Sequence, residues 1–228
     1  MDALILADGD VPSRAELDLA WPGWDATIGF VVAADGGARH AAGLGVAIDA
    51  WVGDGDSLDA DGLAALVAAG VPVERASPHK DESDTELAVR AALARGAHGV
   101  IVLGGLGGTR IDHALANVGL LGMPELAGRR AVVLDARSRI SLVRAPDPRG
   151  GPITRSLPGR IGDLVSLLPQ GDGVVGVTTA GLAYPLANEP LPAGPARGLS
   201  NVRSAADAAV TLEAGLLLVV ECPARLEP

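Results

Sequence analysis

The pattern of apolar and polar residues changes once along the chain, near residue 136. Before that point, short apolar runs alternate with segments whose apolar residues recur at helical spacing, and most runs end at glycine or aspartate. Such runs are typical of strands in a parallel sheet that is covered by helices on both faces. The predicted strands are 3–7, 28–34, 51–52, 71–74, 100–103 and 131–134. The predicted helices are 14–20, 38–42, 59–69, 84–95 and 111–121.

After residue 136, short strands follow one another between Pro/Gly turns. They are predicted at 139–143, 153–157, 161–168, 173–178, 207–212 and 215–220, and a loop is predicted at 185–195. Regularly spaced short strands indicate a sandwich or barrel-like β domain. The predicted fold class is therefore α/β plus all-β: an N-terminal domain, 1–136, with a Rossmann-like parallel sheet, and a C-terminal β domain, 137–228.

Composition narrows the possible functions. The 228 residues are 48% hydrophobic, yet no run approaches the ~18 apolar residues of a membrane span, so no membrane partner is expected. A net charge of −10 gives no support for binding nucleic acid. The single cysteine, Cys222, excludes an internal disulfide, and the first residues lack the basic segment of a signal peptide, so we expect a cytoplasmic protein.

An acidic turn at 53–57 carries the first candidate chemistry. It has the sequence Gly-Asp-Gly-Asp-Ser and follows an apolar run, so Asp54 and Asp56 can face one cation where the backbone turns. Oxygen ligands of this kind suit Mg²⁺ or Mn²⁺, often together with substrate phosphates. The alternative is a solvated Asp-Gly turn, which these residues form readily.

The positions of several further residues favour the metal site. Asp8, Asp35, the 53–57 turn and a glycine-rich loop at 104–108 all follow predicted strands, and ligands of open α/β sheets bind beyond the carboxyl ends of the strands. Together they indicate a site for a metal-bound polyphosphate. The loop matches neither the P-loop nor the dinucleotide fingerprint, so a tight turn without a ligand is the alternative. Asp84, at a predicted helix start, also has a structural use there.

Two charged residues follow the glycine loop directly. The forked donors of Arg110 suit phosphate, and Asp112 can orient or deprotonate a hydroxyl group; the alternative is a surface arginine beside an aspartate that begins a helix. No serine-nucleophile motif is present, so an attacking group is expected to come from a substrate. Three histidines without a partner pattern are interpreted as surface residues: His40, His79 and His98.

The ordered set of motifs resembles the thiamine pyrophosphokinase family. The matching segments, which extend over nearly the whole chain, are 34–38, 53–57, 80–88, 104–117, 162–169, 178–186 and 199–201. The resemblance implies an α/β domain that binds ATP and Mg²⁺, and a β-sandwich domain that binds thiamine and forms a homodimer. It implies transfer of the pyrophosphoryl group of ATP to the hydroxyethyl oxygen of thiamine, with release of AMP.

The resemblance also assigns residues to roles. Asp54, Asp56 and Asp84 would hold Mg²⁺, and Arg110 and Asp112 would handle the phosphates and the reacting hydroxyl. The residues expected to contact ATP are Asp35, Gly36, Gly37, Lys80, Ser83, Gly107, Gly108 and Arg110. Those expected to contact thiamine are Thr178, Tyr184, Ser200, Asn201 and Asp112.

Three positions depart from the family pattern. Gly55 replaces the usual phenylalanine of the acidic turn, Thr109 lengthens the Gly-Gly-Arg segment, and Val202 stands where many members carry an acidic residue. These departures bear on substrate affinity and local geometry more than on the type of reaction. Two other functions stay open: a pyrophosphokinase for another hydroxymethyl heterocycle such as a pterin, and a non-catalytic sensor of nucleotide or thiamine.

Overall fold

The computed structural model describes residues 1–146 and 150–224. The chain divides into two compact units, Met1–Ala136 and Arg137–Pro228. Strand pairs are parallel in the first unit and antiparallel in the second, and all helices of the described residues belong to the first unit. At this level the predicted mixture of helices with parallel and antiparallel strands is confirmed, whereas the Rossmann-like and sandwich descriptions stay predictions.

The first unit is built on a parallel sheet. Its strands are β1 (Asp2–Leu6), β2 (Ile28–Ala34), β3 (Ala50–Gly53), β4 (Val73–Arg75), β5 (Gly99–Leu103) and β6 (Ala131–Asp135). They pair in the order β4-β3-β2-β1-β5-β6. The central strands β1 and β5 are buried at every position, which explains their almost uniformly apolar sequences.

Five α-helices connect these strands. They are α1 (Arg14–Ala20), α2 (Ala41–Leu44), α3 (Ala60–Ala68), α4 (Asp84–Ala94) and α5 (Ile111–Gly119). The predicted helix 38–42 is wrong in its bounds, because a 3₁₀ helix occupies Asp35–His40 before α2 begins. The last predicted helix also ends early, and a 3₁₀ turn continues it over Leu120–Gly122. Within the described residues, no helix combines the length and apolar character needed to cross a membrane.

The second unit is built around one long strand. Its strands are β7 (Ser138–Ala145), β8 (Ile153–Pro158), β9 (Leu164–Ala180), β10 (Glu189–Leu191), β11 (Asn201–Val202), β12 (Asp207–Leu212) and β13 (Ala214–Cys222). All of their pairings are antiparallel, and β9 pairs with β10, β11, β12 and β13. Buried aliphatic side chains from these strands form the core of the unit.

Two predictions for the second unit are wrong. The break expected between 168 and 173 does not separate two strands, because β13 pairs with both halves of β9: Leu216 faces Gln170 and Gly215 faces Val174. The residues between them form a bulge, which bends a strand without ending its pairing. The predicted loop 185–195 contains β10, which pairs with β9.

A buried ionic network lies in the second unit. The side chains of Arg203 and Glu221 are 1% and 4% exposed, and Nη2 of Arg203 donates to Oε1 of Glu221 at 2.7 Å. Arg139 donates to the other carboxylate oxygen at 2.8 Å. Both arginines pair with this one carboxylate, so removal of its charge leaves the buried guanidinium group of Arg203 without this counter-charge.

We expect Glu221→Gln to lower the free energy of unfolding by about 3–5 kcal/mol, since it leaves Arg203 buried without a counter-charge. Urea denaturation of the full chain measures the change. Glu213→Gln, at an exposed position in the neighbouring turn, is the matched control and should stay within about 0.5 kcal/mol. Equal stabilities of the two variants would contradict the assigned role of the network.

Candidate functional site

Three carboxylates of the first unit meet at one edge of the sheet. Asp35 follows β2, Asp54 follows β3, and Asp84 is the first residue of α4, which packs against both strands. Since β2 and β3 pair in parallel, their carboxyl ends lie side by side. One oxygen atom from each of the three carboxylates lies within 4.8 Å of the other two. Three carboxylates from three separate elements could together hold a divalent cation.

Asp35 is held in an unusual conformation. Its φ of 41° lies in the left-handed region, which residues other than glycine seldom adopt. Residues held in such conformations are found more often at functional sites than elsewhere. The buried indole of Trp51 donates to the Asp35 carbonyl at 3.0 Å, and the amide of Ser57 donates to Oδ2 at 3.2 Å. The other oxygen, Oδ1, is buried without a hydrogen-bond partner. Burial, followed by the nearby carboxylates of Asp56 and Asp84, raises the pKa of Asp35.

Lys80 bridges two of the three carboxylates. Its Nζ donates to Oδ2 of Asp54 at 3.0 Å and to Oδ1 of Asp84 at 2.6 Å, and its side chain is only 12% exposed. Burial alone would lower the pKa of Lys80, but the bonds to both carboxylates outweigh it and raise the pKa. The same contact lowers the pKa of Asp54. Lys80 therefore stays charged within the cluster.

Asp56 lies beside the cluster rather than among its three members. Its side chain is exposed and accepts a hydrogen bond from the Ser57 hydroxyl at 2.9 Å, while its amide donates to Oδ1 of Asp54 at 3.2 Å. Gly55 makes this turn possible, because its φ of 83° is strained for any residue with a side chain. The sequence therefore points to this turn, but in the structure the carboxylates grouped with that of Asp54 are those of Asp35 and Asp84, not that of Asp56.

The glycines predicted to contact ATP have evident packing roles. Gly36 and Gly37 are buried at the start of the 3₁₀ helix, and a Cβ atom on Gly37 would collide with the backbone of Leu6. The absence of a side chain thus lets the loop after β2 approach β1 closely. Ser83, also predicted to contact ATP, caps α4 by accepting a hydrogen bond from the amide of Glu86 at 3.1 Å.

The glycine loop after β5 is bound by the loop after β1. The amide of Gly108 donates to a carboxylate oxygen of Asp10 at 2.9 Å, and Gly107 packs beside the same side chain. The buried side-chain amide of Asn117 donates through Nδ2 to the carbonyl of Gly105 at 3.1 Å, and this bond connects the loop to α5. Sequence reasoning missed Asp10, although its place after the strand that neighbours β5 was a usable signal.

Arg110 and Asp112 bind each other. Nε of Arg110 donates to Oδ1 of Asp112 at 3.0 Å, and Nη2 contacts the other oxygen. Both side chains are more than half exposed. The hydrogen bonds from Arg110 hold the pKa of the Asp112 carboxyl well below its usual range. As long as this pair persists, Asp112 can orient a hydroxyl group but is a weak proton acceptor.

His40 corrects one sequence-based interpretation. It is half-buried rather than a surface residue, and its Nε2 atom is buried without a hydrogen-bond partner. Burial lowers its pKa, so the neutral imidazole is favoured.

A cavity of about 280 Å³ lies within the second unit. Tyr184, Asn201, Arg197 and Leu167 are among its lining residues. The Asn201 side chain accepts from the amide of Tyr184 at 3.0 Å and donates to its carbonyl at 2.7 Å, so the two predicted residues are fixed together. Tyr184 as a residue is 70% exposed, so its side chain is accessible to a ligand.

Two of the three other predicted thiamine contacts, Ser200 and Thr178, belong to the same unit as the cavity, and both take part in hydrogen bonds between a backbone amide and a side-chain hydroxyl. Ser200 lies in the turn before β11 with φ 57°, and its amide donates to the hydroxyl of Ser166 at 3.0 Å. The hydroxyl of Thr178 accepts from the amide of Asn188 at 3.0 Å. Neither residue belongs to the described lining of the cavity.

A parallel sheet that carries carboxylates and a glycine loop at its carboxyl edge is typical of enzymes that transfer a phosphorus-containing group from a polyphosphate. Comparisons with known proteins identify the enzyme more closely. Residues 24–133 match the family model "Thiamin pyrophosphokinase, catalytic domain", and residues 153–217 match "Thiamin pyrophosphokinase, vitamin B1 binding domain". The chain belongs to the thiamin pyrophosphokinase family, as the resemblance in sequence predicts, and the family match shows thiamine pyrophosphokinase function.

Solved structures show the same fold over the whole chain. The thiamin pyrophosphokinase of Geobacillus thermodenitrificans is 25% identical, with a TM-score of 0.77 and coverage of 97% of both chains. The Bacillus subtilis enzyme is 21% identical, with a TM-score of 0.80 and coverage of 98% of this chain and 99% of that one. The Candida albicans enzyme is 16% identical, with a TM-score of 0.76 and coverage of 97% and 90%. No curated protein sequence matched the chain.

The pairing of Arg110 with Asp112 generates a titration prediction. Replacement of Arg110 by Met removes the donors that stabilise the carboxylate, so we expect the pKa of Asp112 to rise toward the ordinary value of about 3.9. Carbon-detected NMR titration of labelled aspartates measures it. Arg129→Met is the control. Arg129 belongs to the same unit and binds the carbonyls of Glu125 and Ala97, so its removal should leave the pKa of Asp112 unchanged. A wild-type Asp112 that titrates near 3.9 would contradict the pairing.

Proposed function

We propose that the chain transfers the pyrophosphoryl group of ATP to the hydroxyethyl oxygen of thiamine, giving thiamine diphosphate and AMP, with Mg²⁺ as the metal. We further propose that it acts as a cytoplasmic homodimer. The observation that carries the proposal is the cluster of Asp35, Asp54 and Asp84, in which one buried oxygen of Asp35 lacks any partner. A divalent cation would supply that partner.

The donor set fits Mg²⁺, which prefers hard oxygen ligands and keeps positions open for substrate phosphates. Asp54, Asp84 and Asp35 would hold it, and Asp56, predicted as a ligand from the sequence, lies close enough to influence Asp35. When bound, Mg²⁺ neutralises phosphate charge and stabilises the charge that develops on the leaving AMP. Transfers of this kind rely mainly on alignment and charge neutralisation rather than on covalent chemistry by the protein.

The chain's own residues then have separate tasks. Arg110, whose side chain is largely exposed, presents to phosphate oxygens the guanidinium donors that do not bind Asp112. Asp112 orients the reacting hydroxyl, and its depressed pKa makes it a weaker base than an unpaired aspartate. The hydroxyl oxygen of thiamine attacks the β-phosphorus, the bond from that phosphorus to the AMP oxygen breaks, and the hydroxyl proton passes to solvent or to Asp112.

The cavity of the second unit is the proposed thiamine pocket. Tyr184 offers an exposed aromatic face for a planar ring. Arg197, which also lines the cavity, pairs with Glu189, and this pairing reduces its repulsion of the cationic thiazolium ring. Ser200, Asn201 and Thr178 remain proposed contacts from the family likeness, with Asn201 also supporting Tyr184.

The direct test incubates the purified chain with ATP, Mg²⁺ and thiamine and measures AMP and thiamine diphosphate together. Equal amounts of both products support the proposal. Formation of AMP with a pterin acceptor but not with thiamine, or binding of both ligands without consumption, would overturn it.

We expect Asp54→Asn and Asp84→Asn each to lower kcat by at least about 100-fold, because each removes one of three charges that hold the metal. Steady-state AMP release measures the loss, and circular dichroism checks the fold. Asp61→Asn changes an exposed acidic residue of the same unit and should retain ordinary turnover. Near-normal kcat in either cluster variant would contradict the metal assignment.

Replacement of Tyr184 by Ala should raise KM for thiamine about threefold to tenfold, because a ring contact contributes about 0.5–1.5 kcal/mol. The KM for ATP should not change, since the cavity lies in the second unit. Ile161→Ala, another exposed apolar residue of that unit, is the control. An unchanged KM for thiamine in the Tyr184 variant would exclude this cavity as the thiamine pocket.

A further inference from the structure

The carboxylate cluster already contains one cation, the ammonium group of Lys80. It bonds Asp54 and Asp84 at 3.0 and 2.6 Å, so it lies between two of the three groups proposed to hold the metal. Lys80 is the only lysine of the chain, and with 12% of its side chain exposed it is largely withdrawn from solvent. The contact is thus an internal ion pair of the site rather than a surface one.

The ammonium group satisfies the site only in part. Both oxygens of Asp54 are occupied, one by Lys80 and the other by the amide of Asp56 at 3.2 Å. Oδ1 of Asp35 is buried and has no partner, so this oxygen accepts no hydrogen bond from Lys80. A divalent cation that contacts all three carboxylates would balance their charge better than the ammonium group does. The two cations cannot both lie between Asp54 and Asp84, because like charges only a few ångströms apart repel each other strongly.

We propose that Lys80 is the counter-ion of the metal-free site, that entry of the metal displaces it, and that the released ammonium group then binds the phosphates of the nucleotide. This inference rests on the metal site of the proposed function. It implies that metal and nucleotide assist each other's binding. Without nucleotide, the metal must break the ion pairs of Lys80 with Asp54 and Asp84. With nucleotide present, the phosphates give Lys80 a new anionic partner, so displacing Lys80 costs less free energy.

Variants separate this exchange from a merely structural role of Lys80. In the full chain without nucleotide, Lys80→Met should bind Mn²⁺ about tenfold more tightly or better, because the competing cation is gone. With Mn²⁺ saturating, the same variant should bind a non-hydrolysable ATP analogue more weakly. Lys80→Arg keeps the charge and should resemble the wild type in Mn²⁺ affinity. Free Mn²⁺ is measured by electron paramagnetic resonance.

Arg75→Met is the matched charge control. Arg75 ends β4, its guanidinium lies near Gly55, and its loss removes one positive charge beside the same turn without breaking the Lys80 contacts. We expect a change in Mn²⁺ affinity of less than about threefold, since exposed charges are screened. An effect as large as that of Lys80→Met would overturn the exchange in favour of a general electrostatic effect.

The wild-type chain provides the closing experiment, which depends on no variant's folding. Labelling of lysine with ¹⁵N at Nζ gives one side-chain signal, because Lys80 is the only lysine. We expect Mg²⁺ alone to shift this signal and the ATP analogue to shift it further. A signal that does not move while isothermal titration records Mg²⁺ binding overturns the Lys80 exchange and leaves the metal site intact. Absence of Mg²⁺ binding, even with the nucleotide analogue, overturns both.

Discussion

The mutual repulsion of carboxylates at the end of the parallel sheet is the constraint on which the first unit depends. Asp35, Asp54 and Asp84 each approach the others within 4.8 Å, and in a partly buried setting such repulsion opposes folding. The fold offsets it locally. Lys80 supplies a positive charge to two of the groups, while the Trp51 indole and the Ser57 amide fix the third. The three carboxylates are therefore kept close together by neighbouring groups of the same unit, in an arrangement that could also hold a divalent cation.

Much of this frame is visible in the sequence, because the residues that follow apolar runs become neighbours once the strands pair in parallel. Asp35 and Asp54 illustrate this directly. The role of Asp35 in the carboxylate group was less evident than that of Asp56, since spacing along the chain favours the i, i+2 pair of one turn. Asp35 is held in the carboxylate group by its left-handed backbone conformation and by the hydrogen bond that its carbonyl accepts from the Trp51 indole. Neither feature can be predicted from the spacing of residues along the chain. The family resemblance predicts Lys80 as a nucleotide contact, but its ion pairs with Asp54 and Asp84 depend on how the loop before α4 folds.

In the second unit, pairing overrides the local turn signals. Glycine and aspartate at 171–173 suggest the end of a strand, yet the ladder with β13 resumes at Val174 and keeps β9 continuous. In the same way, a proline-rich segment contains β10, which pairs with β9. The cavity of the second unit likewise depends on tertiary hydrogen bonds. The side chain of Asn201 bonds the backbone amide and carbonyl of Tyr184. The two residues, predicted from the sequence as separate contacts, are therefore fixed relative to each other.

The conformation of Gly55 limits what a single substitution can do at the acidic turn. The family pattern that the sequence resembles has phenylalanine at this position, but here the glycine has φ 83°, where a side chain costs about 1–2 kcal/mol. A ring introduced by one substitution would carry that cost unless the backbone rotated into another region. The residue type and the shape of the turn therefore depend on each other, and an aromatic residue fits this position only together with a different backbone conformation.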